Sequence, residues 1–136
     1  MNFDCVIVDA NIAFKALVSQ RGDLRDRLDP SASERFYTPG YLFVELFKHK
    51  NRLAHATGLA EPELLEAMQT LVSRLQFVNE SNISLGIWME AHRLCKDVDE
   101  QDTPYIALTL HLDGRMWTDD AQFETSPPRQ RIQRIL

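Results

Sequence analysis

The sequence predicts an α/β protein, a three-layer α/β/α sandwich built around a mostly parallel sheet of four to five short strands. Short apolar runs alternate with longer segments whose apolar residues recur at helical spacing. The first run, residues 5–8, is β-branched and apolar, which is typical of a strand buried on both faces. Strands that alternate with helices favour right-handed βαβ units and a sheet covered on both sides.

Length and composition indicate one globular domain over residues 1–136. No uncharged apolar run approaches the ~20 residues of a membrane span. Asp4 and Asp9 interrupt any secretory leader, so we expect a cytoplasmic protein. Cys5 and Cys95 are far apart in apolar surroundings, which favours two buried thiols over a disulfide or a metal pair.

The net charge of −5 argues against a protein that grips nucleic acid by bulk positive charge. It does not exclude an enzyme that acts on nucleic acid. Clustered acids can hold divalent metal ions, and the bound ion then reverses the local sign of charge.

In the N-terminal half, the strand 5–8 leads into a short helix over residues 10–19. Residues 23–34 are polar and are predicted to be mostly loop, and a second strand covers residues 36–38. Thr38-Pro39 then predicts a helix start, with a hydroxyl cap and a proline in the first turn.

The helix predicted over residues 40–56 is apolar on every side of Glu45, which is typical of a buried helix. Gly58 predicts its end. A lone ionised carboxylate in such a setting costs several kcal/mol unless it is paired or protonated. Glu45 therefore has one of two roles: an ion pair with Lys48 or His49, or a ligand in a shared metal site.

In the C-terminal half, Glu61-Pro62 opens a helix and residues 76–78 predict a third strand. Ser81 or Ser84 caps the helix that runs to Cys95. After a polar break, Thr103-Pro104 starts a helix that ends at Gly114, residues 116–117 form a fourth strand, and residues 132–136 form a last edge strand.

Four acids are prominent by position: Asp9, Glu45, Asp102 and Asp120. Asp9 and Asp120 each follow a predicted strand, and ligands of parallel sheets bind outside the carboxyl ends of strands. Each has a structural alternative: Asp9 and Asp120 as helix or turn caps, Asp102 as an acid that favours a helix N-terminus. Asp99, Glu100 and Asp119 are competing candidates.

Three or four carboxylates provide the oxygen ligands that Mg²⁺ or Mn²⁺ prefers. Such ions activate water and stabilise the leaving oxygen of a phosphodiester. The sequence has no His/Cys set with zinc spacing, no glycine-rich phosphate loop and no nucleophile elbow.

Four segments, in this order and spacing, together resemble the PIN-domain family, most closely its small prokaryotic VapC-like toxins. The third and fourth are the most specific. The segments are Ile7-Val8-Asp9-Ala10-Asn11, Val44-Glu45-Leu46, Asp102-Thr103-Pro104-Tyr105-Ile106-Ala107-Leu108-Thr109-Leu110 and Met116-Trp117-Thr118-Asp119-Asp120.

The resemblance implies a Mg²⁺- or Mn²⁺-dependent endoribonuclease, the toxin of a type II toxin–antitoxin pair, with a small antitoxin partner and a homodimeric state. Asp9, Glu45, Asp102 and Asp120 match the family's catalytic, metal-binding acids. Asn11 and Thr118 match its supporting polar positions, whereas Asp119 stands where the family often has a small residue.

Basic residues flank this pattern in two groups, Lys48, Lys50 and Arg52, and Arg21, Arg25 and Arg27. Either group would guide RNA phosphates toward the metal, or would form a solvated basic face. Two other classes remain: a PIN-like module that binds RNA or protein without cutting, and a haloacid-dehalogenase-like phosphatase. Asn11 argues against the phosphatase, which requires an aspartate at that position.

Overall fold

The computed structural model describes residues 4–19, 28, 34–96, 99–118 and 132–134. Its centre is a five-stranded sheet in the order β3-β2-β1-β4-β5, in which every neighbouring pair is parallel. The predicted parallel sheet is confirmed, including its last edge strand. The strands are β1 (Asp4–Val8), β2 (Glu34–Pro39), β3 (Gln76–Val78), β4 (Arg115–Thr118) and β5 (Ile132–Arg134).

The helices of the described ranges form two groups. Helix α1 contacts α2, α3 and α4, whereas α5 packs along α6, which also contacts β1, β2 and β4. The fold is the predicted three-layer α/β/α sandwich. The helices are α1 (Ala10–Val18), α2 (Tyr41–Lys48), α3 (Lys50–Thr57), α4 (Glu61–Ser73), α5 (Leu85–Cys95) and α6 (Thr103–Leu112), with short 3₁₀ turns at Glu80–Asn82 and Glu100–Asp102.

The central strand β1 is buried on both faces, as its uniform apolar run predicts. Val6, Ile7 and Val8 are fully buried. The neighbouring strands add Phe36 and Trp117, whose rings lie 5.2 Å apart between centroids. Burial of this strand fixes the position of the residue that follows it, because the chain leaves the sheet at a rigid point.

The predicted helix start at Thr38-Pro39 is wrong. Both residues lie in β2, and α2 begins at Tyr41. The residue at its N-cap is Gly40, which has no side chain to accept a hydrogen bond. The acceptor comes instead from Glu80, whose Oε1 and Oε2 accept hydrogen bonds from the amides of Gly40 (2.9 Å) and Tyr41 (3.1 Å). A carboxylate at a helix N-terminus satisfies open amides and favours the dipole, so a distant residue performs the capping role.

The single buried helix predicted over residues 40–56 is also wrong in two respects. The chain breaks at His49 into α2 and α3. Helix α2 packs on the other helices by one side only, so Leu42, Glu45 and Leu46 are buried, whereas Phe43, Val44 and Phe47 are 41%, 55% and 62% exposed. Apolar residues all round this helix therefore mark an exposed apolar surface in addition to a core face.

Several local predictions are confirmed. Gly58 ends α3 in the left-handed conformation, with φ of 71°. Ser84 rather than Ser81 caps α5, because its hydroxyl oxygen accepts a hydrogen bond from the Ile87 amide at 3.3 Å. Cys5 is half-buried, Cys95 is buried, and they form no disulfide. The loop predicted over residues 23–34 lies outside the described ranges except for residues 28 and 34.

None of the helices that the structure describes has both the length and the apolar content needed to cross a membrane.

Candidate active site

The strand order indicates that a ligand would bind at the carboxyl end of the sheet. The chain passes from β1 through β2 to β3 on one side and returns to β4 and β5 on the other, so the order reverses between β1 and β4. Ligands of open α/β sheets bind at such a reversal, outside the carboxyl ends of the strands. Asp9 follows β1 there. Thr118 ends β4, and Asp119 and Asp120 lie outside the described residues.

A polar cleft of about 160 Å³ opens at this end of the sheet, and we call it the acidic cleft. It brings together four carboxylates from three separate parts of the sequence. One follows β1, one lies in α2, and two come from the turn before α6. Its lining residues are Asp9, Ala10, Asn11, Phe14, Glu45, His49, Arg52, Asp99, Gln101 and Asp102.

Asp9 both caps α1 and lines the acidic cleft. Its side chain is 3% exposed, and its Oδ1 accepts a hydrogen bond from the Ile12 amide at 2.9 Å. The strand before it is held by Thr38, whose hydroxyl donates to the Val8 carbonyl at 3.2 Å. The capping role considered for Asp9 is therefore real, and it fixes the carboxylate at the cleft wall. Asn11, two residues on, is exposed and lines the same cleft.

Glu45 is a buried carboxylate in α2, 8% exposed. Burial has the largest effect and raises the pKa of Glu45. The hydrogen bond from Tyr105 and the charge of Lys48 partly offset this increase, and the charge of Asp99 adds to it. Within the described part of the chain, no ion pair joins Glu45 to Lys48 or His49, so the simple ion-pair interpretation fails. A cation in the cleft would offset the cost of burying this charge.

Tyr105 is the site residue that sequence reasoning missed. Its hydroxyl donates to Glu45 Oε1 at 3.3 Å, and the side chain is buried. Burial, followed by the charges of Glu45 and Asp9, raises the pKa of Tyr105 well above its ordinary range, so the phenol remains a neutral donor. No spacing within one helix could have indicated this role, because the contact joins α6 to α2.

Asp99 and Asp102 both reach the acidic cleft, but in different ways. Asp99 is exposed, and its Oδ1 accepts a hydrogen bond from the Gln101 amide at 2.9 Å, which caps the 3₁₀ turn. Asp102 is half-buried and precedes α6, yet its side chain makes no capping hydrogen bond to that helix. Asp102 thus stands at the N-terminus of α6, where an acid favours the helix dipole, and it lines the cleft as well.

One of the three basic residues after Glu45 belongs to the cleft. The Arg52 guanidinium lies 5.7 Å from the centre of the Phe14 ring, and His49 meets the same ring edge-on at 5.4 Å. Lys50 forms an ion pair with Glu61 at 3.3 Å, and Lys48 does not line the cleft.

His49, considered from the sequence only as an ion-pair partner of Glu45, lines the cleft. Burial, followed by the charges of Arg52 and Lys48, lowers the pKa of His49, which favours its neutral form. The second basic group predicted from the sequence, Arg21, Arg25 and Arg27, lies outside the described residues.

The donor set suits a hard divalent ion. Carboxylate oxygens are the ligands that Mg²⁺ and Mn²⁺ prefer, and Mg²⁺ keeps several of its waters when protein binds it. In the ranges that the structure covers, no three His, Cys, Asp or Glu side chains are close enough to form a ready group for direct coordination. Asp9, Glu45 and Asp102 supply carboxylate oxygens to one cleft, so the residues present fit this class of ion.

Comparison with known proteins identifies both the family and the fold of this chain. The family model of the PIN domain matches residues 7–130. The crystal structure of VapBC2 from Rickettsia felis bound to a DNA fragment from their promoter has a chain with the same fold, at a TM-score of 0.70 and 11% identity, covering 96% of this chain and 98% of that one. A search of curated proteins found no significant match. Because the family model spans nearly the whole sequence, this chain belongs to the PIN domain family.

Proposed function

We propose that this protein is a metal-dependent endoribonuclease that hydrolyses RNA phosphodiester bonds, and that its residues 1–136 form a single nuclease domain. One observation carries the proposal. In a PIN domain, Asp9, Glu45 and Asp102 line one polar cleft at the carboxyl end of the central strand. An open cleft lined by carboxylates suits a cation that bridges the protein to a phosphate.

Asp9, Glu45 and Asp102, with Asp120 as a fourth ligand, would hold Mg²⁺ or Mn²⁺ directly or through water. When bound, such an ion supplies Lewis-acid activation of water and stabilises the charge on the leaving oxygen. Of the two acids before α6, we assign the ligand role to Asp102, because it is half-buried at the cleft whereas Asp99 is exposed.

The chain's own groups position this machinery. The Tyr105 hydroxyl orients the Glu45 carboxylate, and the Ile12 amide orients that of Asp9. Arg52 lies at the wall of the acidic cleft, where its guanidinium would bind a phosphate of the RNA. Asn11, Thr118 and Asp119 complete the set as supporting residues. Lys48 would guide RNA only from a distance, and Lys50, which pairs with Glu61, takes no part.

We further propose that the protein is the toxin of a type II toxin–antitoxin pair, with a small antitoxin partner and a homodimeric state. The similar fold in Rickettsia felis belongs to a VapBC2 assembly on promoter DNA, which supports a complex of this kind. The exposed Phe43, Val44 and Phe47 supply apolar surface that a protein partner would cover.

A non-catalytic PIN-like module that binds RNA or protein is the second candidate. It is favoured by one observation, the lack of a ready three-residue metal group among the residues that the structure places. Calorimetric titration with Mg²⁺ and Mn²⁺ separates the two candidates, since a non-catalytic module would bind neither ion in the cleft.

Cleavage of RNA by an Asp9→Asn variant tests the nuclease proposal. Asparagine is as good a helix cap as aspartate, so the variant keeps the bond from Ile12 and should fold normally. We expect its Mg²⁺- or Mn²⁺-dependent cleavage to fall by about 100-fold or more, because a lost ligand removes several kcal/mol of charge stabilisation.

The matched control is Asp113→Asn. Asp113 is exposed, lies outside the cleft and has a left-handed conformation that asparagine accepts readily. This control should retain full activity. Undiminished cleavage by Asp9→Asn would remove Asp9 from the site.

A further inference from the structure

A second concave surface adjoins the acidic cleft. Two hollows of about 410 and 380 Å³ share Trp88, His92 and Thr103, so they form one continuous depression along α5 and the start of α6. We call this depression the aromatic groove. The residues that matter here are Tyr41, Trp88, His92, Gln101, Thr103 and Pro104.

The aromatic groove and the acidic cleft share a wall. Gln101 lines both. On α2, Tyr41 and Glu45 are one turn apart and both meet Tyr105: the two tyrosine rings lie 6.5 Å apart between centroids, and Glu45 accepts the bond from the Tyr105 hydroxyl. A ligand whose phosphate lies in the cleft can therefore extend directly into the groove.

The ring of Trp88 is fixed in place at this groove. Its Nε1 donates to the Glu80 carbonyl at 3.4 Å. The carboxylate of the same Glu80 holds the Tyr41 amide at 3.1 Å. One residue thus anchors both the Trp88 ring and the start of the helix that carries Tyr41, so the Trp88 side chain is ordered before any ligand arrives. A half-buried ring that is already ordered loses little freedom on binding.

The chemistry of the groove suits a nucleobase better than a protein surface. It combines flat rings, including exposed His92, with the polar side chains of Gln101 and Glu100. Unpaired RNA bases are recognised by stacking on aromatic and histidine rings together with hydrogen bonds to their edges.

Another apolar hollow among the described residues also has aromatic rings in its lining, but it is separate from the acidic cleft. It measures about 170 Å³ between α2 and α4, its lining includes Phe43, Phe47, Leu65 and Val72, and it shares no residue with the acidic cleft. That hollow is suited to a protein, and the aromatic groove to a base.

We propose that the aromatic groove binds an unpaired base of single-stranded RNA, stacked on Trp88 and Tyr41, next to the phosphate that lies in the acidic cleft. This inference rests on the proposed ribonuclease function and adds to it a base-binding position beside the scissile phosphate. A base held in a duplex stack would have to leave that stack before it could enter.

The test measures binding of a short, fluorescently labelled single-stranded RNA to the full chain in Mg²⁺, with Asp9→Asn as the background so that the RNA is not cut. In this background, Trp88→Leu removes the ring and Trp88→Phe keeps one. The control is Phe47→Leu, which changes an exposed ring of the other hollow. Intrinsic fluorescence provides a second signal, because the chain has only two tryptophans and Trp117 is 2% exposed.

We expect Trp88→Leu to weaken RNA binding about 5- to 100-fold, the range for loss of one stacked base. Trp88→Phe should retain most of the affinity, Phe47→Leu all of it, and RNA should quench Trp88. An abasic site at one position of the RNA should weaken binding to the parent protein and have little further effect in Trp88→Leu, since both changes remove the same contact.

Equal RNA affinity of Trp88→Leu and the parent would overturn the proposal. So would a change in oligomeric state caused by Trp88→Leu without a change in RNA affinity, which would make the groove a protein contact. Cleavage by the unmodified chain is scored separately. RNA binding that depends on Trp88, without any cleavage, would support the base site and refute the nuclease proposal. Cleavage with an unchanged KM in Trp88→Leu would support the nuclease proposal and refute the base site.

Discussion

The buried Glu45 carboxylate should make the metal-free protein less stable than it would be with a neutral side chain. Folding raises its pKa because burial disfavours the charged form, and the single 3.3 Å bond from Tyr105 only partly offsets this. Glu45→Gln keeps the size and an oxygen acceptor for Tyr105 but removes the charge. We therefore expect the variant to be more stable than the parent at pH 8 in the presence of a chelator.

The expected gain is on the order of 1 kcal/mol, the cost of burying a carboxylate that has one neutral donor. For a chain of 136 residues this corresponds to a rise in Tm of about 3–5 °C. Because folding raises the pKa of Glu45, the effect on stability depends on pH in a defined direction. Below the unfolded value of 4.5 Glu45 is protonated in both states, and its contribution to stability is lost as pH rises through the raised folded pKa.

Thermal unfolding of the parent and Glu45→Gln across this pH range is the assay. The advantage of the variant should be absent at acid pH and full at pH 8, and adding Mg²⁺ should stabilise the parent more than the variant. Glu66→Gln makes the same change at an exposed position of α4 and should have little effect. A less stable Glu45→Gln at pH 8, or a difference that does not vary with pH, would refute the reasoning.

Three further predictions concern the cleft and its support. Asp102→Asn should lower Mn²⁺ affinity in calorimetry by about 10-fold or more, whereas Asp99→Asn should lower it less, because Asp99 is exposed and Asp102 is half-buried; equal losses would leave the ligand unassigned between them. Arg52→Ala should weaken RNA binding and reduce its salt dependence, whereas Lys50→Ala, whose side chain pairs with Glu61, should change neither appreciably. Glu80→Gln should lower the free energy of unfolding by about 1–2 kcal/mol in denaturant titration, since one amide group cannot replace two charge-assisted acceptors.

Much of the fold was predictable because its determinants are local. The apolar run of β1, the cap at Ser84 and the left-handed Gly58 are each written in a few adjacent residues. The errors fall where a distant group decides the outcome. Glu80 caps α2 from about forty residues away, so the local Thr38-Pro39 signal, although chemically sound, was overruled by tertiary structure.

The candidate site was predictable to a similar degree. Acids that follow strands are easy to recognise, because parallel topology brings strand ends to one edge, and Asp9 is an example. Tyr105 was not recognisable as a site residue, since its role depends on how α6 lies against α2 and no spacing within either helix encodes that contact. The same holds for Arg52, which only the packing on Phe14 separates from Lys48.

The most direct test of the central claim is the rate of RNA cleavage by the unmodified chain as divalent ion is supplied, removed and restored. We expect cleavage of single-stranded RNA in Mg²⁺ or Mn²⁺, its loss in a chelator, and its recovery when Mn²⁺ is added in excess of that chelator. Cleavage that continues undiminished in the chelator, or no cleavage with either ion by a folded protein, would contradict the assignment of the acidic cleft as a metal-dependent nuclease site.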